Sequence, residues 1–131
     1  MGLDALHAPL LAVVLALAAA SLLQYVMTRL GGTDGTGPNQ LVGIRTRATR
    51  ASDEAWRAGH EAAQPWLLAT AVLGPVLALP LVIWRLAAGS PPSAALTAAA
   101  VTATLVVLGL FASALVHAQR SARRAEDART R

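Results

Sequence analysis

At 131 residues the chain has room for one domain, and 55% of it is apolar against 14% charged. Its charges lie between long apolar blocks instead of along every helix, which excludes an ordinary soluble fold and makes lipid the solvent for most of the chain. The net charge of +4 comes from arginine alone, and without a basic domain or interleaved aromatics it argues against nucleic acid as the partner. The absence of cysteine excludes disulfides, thiol catalysis and thiolate metal sites.

The first apolar block runs from residue 8 to residue 30 with no charge before Arg29, long enough to cross a hydrocarbon core of about 30 Å. A cleaved signal peptide competes with this reading, because Ala18 and Ala20 before Ser21 imitate a cleavage site. Signal peptides carry a positive n-region, however, and this N-terminus offers only Asp4 and His7, so a retained helix is expected.

Residues 31 to 64 form a polar loop. It opens on a run of Gly, Thr, Asp and Pro from Gly31 to Pro38 that cannot hold a helix. Ser52 then reads as a helix N-cap, with Asp53 and Glu54 in the first turn where the helix dipole favours carboxylates. The spacing predicts a short helix of its own, with Arg57 placed to pair with Asp53 and Glu61. Trp56, His60 and Ala63 share one face of it, suited to lie on a membrane surface or against the ends of neighbouring helices. Within that face Trp56 is the anchor, and His60 reads as an exposed histidine that senses no pH.

The second span covers residues 65 to 86. Trp66 and Trp84 stand eighteen residues apart, about 27 Å at the helical rise, so both indoles suit the interfacial belts. Pro75 and Pro80 lie inside it and predict a bend. A tight turn over residues 87 to 92 leads into a third span at 93 to 117, and residues 118 to 131 make a polar tail, frayed or a helix in water. Small residues recur every fourth position at Ala12, Ala16 and Ala20, at Ala94, Ala98 and Thr102, and at Gly109 and Ser113. Close packing between helices of this chain is the expectation for these stripes, with homo-oligomerisation secondary.

The arginines fall in the 31–64 loop and in the tail. The N-terminus has none and the second turn only Arg85. The positive-inside rule therefore puts loop and tail in the cytoplasm and the N-terminus outside. The fold expected is an all-α integral membrane protein of three transmembrane helices, with a short cytoplasmic interfacial helix in the first loop.

No span carries an internal Asp, Glu, Lys or Arg, which weighs against a transporter or channel. His7, His60 and His117 fall on both sides of the membrane and cannot form one three-ligand metal site. No catalytic constellation is visible, so neither an enzyme nor a bound cofactor is expected. The informative stretch is Asn39 to His60. Its bare physical reading is a turn at Gly43, an Arg45–Thr46 pair able to hold carbonyls or phosphates, and a capped helix anchored by Trp56. Arg45 suits an anionic headgroup, or equally a helix C-terminus within the protein.

As a pattern, Asn-x-x-x-Gly-Ile-Arg-Thr, then Thr, then Ser-Asp-Glu-x-Trp and His, resembles the SdpI immunity-protein family. The resemblance covers residues 39 to 66 by motif and the flanking spans by layout. It implies a bacterial plasma-membrane protein without enzymatic activity, acting in toxin-peptide immunity or envelope signalling. Membrane lipids, a toxic peptide, or a membrane or cytoplasmic protein would be its partners. The positions carried over are Asn39, Gly43, Ile44, Arg45, Thr46, Thr49, Trp56 and His60. This chain has three helices where the family's namesake has more, which separates membership from role. The competing reading is an accessory subunit that stabilises a larger membrane complex.

Overall fold

The computed structural model describes residues 6–30, 43–88 and 93–131. Asn39 and the glycine-rich opening of the first loop, like the tight turn before Ser93, lie outside these residues. Three helices account for nearly all of the described chain: α1 (His7–Leu30), α2 (Asp53–Ala88) and α3 (Ala94–Arg129). Each is long and apolar enough to cross a membrane. They pack as a bundle in which α2 touches both neighbours and α1 also reaches α3.

Local chemistry fixes the helix starts. The Ser52 hydroxyl accepts from the Ala55 N–H at 3.2 Å and the Ser52 carbonyl accepts from the Trp56 N–H at 2.9 Å, so α2 begins where the N-cap predicts. Ser93 does the same for α3, in an extended conformation with its hydroxyl accepting from the Leu96 N–H.

Three expectations are corrected. The first loop holds no separate helix: α2 runs without a break from Asp53 through Pro65, Pro75 and Pro80 to Ala88. A proline mid-helix removes one donor, and packing against neighbouring helices supports the backbone on either side. Arg57 pairs with neither Asp53 nor Glu61; the ion pair of this end joins Arg129 to Glu126 at 3.0 Å within α3. The small-residue stripes singled out by their spacing do not face the bundle. Ala12, Ala16, Ala20, Ala94, Ala98 and Thr102 are exposed, and a methyl group at Gly109 would meet nothing within 4 Å.

Small residues do make the interfaces, but they are other ones. Gly74 lies where a Cβ would stand 2.6 Å from the Ala18 methyl, which sets the close approach of α1 to α2. Ala55, Ala63 and Ala78 on α2 are buried, as are Ala100, Ala103, Ala114, Ala118 and Ala122 on α3.

Two apolar clusters result. One joins Leu11, Val14, Ala78, Ala100 and Val107 in the upper bundle. The other joins Ile44, Ala63, Leu67, Ala114 and Ala118, with Tyr25, Trp66 and Phe111 at its border. Ile44 comes from the loop, not from a helix, and it closes the bundle at that end.

Candidate functional site

Gly43 to Arg50 form a compact turn laid on the first two helical turns of α2. Gly43 adopts φ +127°, a left-handed value that disfavours any side chain. Space makes the same demand: a Cβ there would stand 2.6 Å from both His60 Nε2 and the Trp56 ring. The glycine thus lets the backbone lie directly on the imidazole and the indole.

Both backbone groups of Ile44 are held. Its N–H donates to His60 Nε2 at 2.9 Å, and its carbonyl accepts from the Thr49 hydroxyl at 2.5 Å. The second ring nitrogen of His60, Nδ1, donates to the Trp56 carbonyl at 2.8 Å. These two bonds define a neutral imidazole with its proton on Nδ1, since Nε2 must keep a lone pair for Ile44. The ring lies 4.1 Å from the Trp56 ring centroid, and both side chains are buried. Burial lowers the His60 pKa below its ordinary value, and the bond to the Trp56 carbonyl opposes that shift in part. His60 is therefore not the exposed histidine expected: the loop covers it.

Thr46 and Thr49 brace the turn reciprocally. The Thr46 N–H donates to the Thr49 hydroxyl oxygen at 3.0 Å, and the Thr49 N–H donates to the Thr46 hydroxyl oxygen at 3.2 Å. This is the logic of a capping box, in which each side chain satisfies the other residue's orphan donor. Thr49 is fully buried, and Arg45, between Ile44 and Thr46, is exposed.

Of the eight positions named from the motif, seven are described. Six of them, Gly43, Ile44, Thr46, Thr49, Trp56 and His60, form this one assembly. Arg45, the seventh, is exposed.

The third wall was not legible in the motif. Residues 118 to 129 continue α3 as helix, and they pack against the start of α2. At Gly59 a Cβ would stand 2.8 Å from the Thr49 methyl, 3.0 Å from the Ala118 carbonyl oxygen and 3.5 Å from the Ala122 methyl. The Ser52 hydroxyl donates to Glu126 at 2.8 Å, and with Arg129 it holds that carboxyl below its usual pKa. Trp66 stacks on His117 at 5.0 Å. A signal existed in two short stripes, Ala55-Gly59-Ala63 and Ala114-Ala118-Ala122. Among so many alanines their spacing does not stand out.

At the centre of the site, His60 has both ring nitrogens occupied by backbone groups. The protein-family model described as the SdpI/YfhL protein family matches residues 36–117, which takes in the turn, all of α2 and most of α3. Neither a curated protein nor a solved structure gives a significant match to the chain.

Proposed function

Because the chain belongs to the SdpI/YfhL family, we propose that it is a non-enzymatic membrane protein of toxin-peptide immunity or envelope signalling, working through the Gly43–Thr49 turn. The observation that carries this reading is the turn itself. Its backbone is tied to buried side chains at Ile44, Thr46 and Thr49, while Arg45 is exposed between them. Rigid backing of an exposed arginine is how a protein pre-organises a planar contact to a carboxylate, a phosphate or a peptide carbonyl.

The arginine distribution supports placing this turn in the cytoplasm of a bacterium, with the N-terminus outside the plasma membrane. Cysteines replacing Ala5 and Gly89 should then label in intact cells, and cysteines replacing Thr36 and Ala125 only after permeabilisation. Labelling of the Thr36 position from outside overturns the orientation.

Function is tested at Arg45. Cells exposed to the toxic peptide should lose protection with Arg45→Ala and equally with Arg45→Lys, at unchanged membrane abundance. Lysine keeps the charge and loses the planar fork. Full protection by the lysine variant would show that charge alone matters. No protection by the wild-type protein against any such peptide, together with co-purification of a fixed stoichiometric partner, would favour an accessory subunit.

A further inference from the structure

The geometry points to a binding site for an anionic phospholipid headgroup on the outer face of α3, formed by Arg120, Arg123 and Arg124. These three arginines are exposed, and among the described residues none makes a hydrogen bond or an ion pair. The nearest carboxylates on the helix are spoken for or lie further on. Glu126 is engaged by Ser52 and Arg129, and Asp127 is exposed one turn beyond Arg123.

The face matters more than the number of charges. The helix turns about 100° per residue, so Arg120 and Arg124 continue the line of Ala98, Thr102, Gly109 and Ser113. That line is opposite the buried face of Ala100, Ala103, Val107, Ala114, Ala118 and Ala122. Among the described residues it is the open side of the helix: a Cβ at Gly109 finds nothing within 4 Å, and Ala98, Thr102 and Val116 are exposed. In a helix long and apolar enough to span a membrane, such a face is turned to lipid. The arginines thus follow a lipid's acyl chains directly to the position of its headgroup.

Depth agrees. The stack of Trp66 on His117 marks one level on α2 and α3, where the apolar segments of both helices end. Arg120, Arg123 and Arg124 follow His117 by about 4.5, 9 and 10.5 Å at the helical rise. The headgroup layer is about 5–7 Å deep on each side, and arginine side chains snorkel back towards it. Arg57 lies about 13.5 Å from the Trp66 level at the same rise. Arg47 and Arg50 belong to the turn packed where Gly59 meets Thr49 and Ala118, on the buried face of α3 and away from the outer face that carries Arg120 and Arg124. A guanidinium cluster of this kind matches a phosphodiester in bidentate fashion.

The full chain in mild detergent, titrated with phosphatidylglycerol or phosphatidylcholine and read by native mass spectrometry, tests the site. We expect phosphatidylglycerol to be retained over phosphatidylcholine. The combined variant Arg120→Gln, Arg123→Gln, Arg124→Gln should weaken its retention roughly a hundredfold, about fivefold for each arginine near an anionic surface. The combined variant Arg47→Gln, Arg50→Gln, Arg57→Gln loses the same charge away from this face and should retain the lipid as wild type does. Equal losses in both variants would reduce the effect to net charge and overturn the site. So would equal retention of the two lipids by wild type, or displacement of phosphatidylglycerol by an equal concentration of inorganic phosphate. The wild-type chain supplies a second reading that no folding defect can blur. A photoactivatable headgroup on phosphatidylglycerol should crosslink to residues 119–124, and crosslinking confined to residues 45–57 would contradict the proposal.

Discussion

His60 is held neutral by geometry. Its Nε2 accepts from the Ile44 N–H and its Nδ1 donates to the Trp56 carbonyl, so a second proton would set two donors against each other at 2.9 Å. Burial depresses its pKa from the ordinary 6.5. The folded turn thus takes up its proton later than a released turn does as the pH falls. The bond to Ile44 contributes fully above the ordinary histidine value and is lost as the pH drops towards the depressed one. An unmet buried N–H costs about 1–3 kcal/mol, enough to loosen a turn of this size. With Trp56 as the only tryptophan and His60 intact, emission should shift to the red as the pH falls below the ordinary histidine value. His60→Gln, whose side-chain oxygen can accept from Ile44 without titrating, should flatten that response. An unchanged pH profile in the glutamine variant would remove His60 as its source.

At the scale of the helices, the site depends on an extension of α3 that looks like a tail. Ala118 and Ala122 are fully buried against α2, so a larger side chain at Ala122 has nowhere to go. Ala122→Leu should overpack the contact at Gly59 by about 1–3 kcal/mol. The expected readout is faster amide hydrogen exchange at Ile44 and Thr46, whose N–H groups are bonded in the intact turn. Exchange there at the wild-type rate would show that α3 does not support the turn.

Much of this architecture could be read from the sequence. Three apolar blocks declare three helices, Ser52 followed by two acids declares a helix start at Asp53, and spacing puts Trp56, His60 and Ala63 on one face. What stayed hidden has a physical cause. Pro65 is a helix breaker by propensity, and only tertiary packing carries α2 through it. The residues after His117 are polar in composition because only one narrow alanine stripe touches α2. His60 appears exposed until the loop is folded over it. The exposed stripes at Ala12–Ala20 and Ala94–Thr102 are as regular as the buried ones, so periodicity could not choose between them.

The described helices form a three-helix bundle with exposed apolar side chains on each helix, and its α2–α3 end carries a folded turn. In the membrane, Gly74 against Ala18 brings α1 onto α2. Beyond the Trp66–His117 level, the Gly43–Arg50 turn packs on α2 and α3, with Ile44 as the plug. The motif is packed against protein, with Trp56 and His60 buried beneath Gly43. Trp56 is only 8% exposed and reports on this directly. The deciding measurement is its fluorescence in vesicles, in a Trp66→Phe, Trp84→Phe background, with an aqueous quencher and with brominated lipids. Burial against Gly43 and His60 predicts blue-shifted emission shielded from both quenchers. Red-shifted emission open to the aqueous quencher, or strong quenching by brominated lipid, would contradict it.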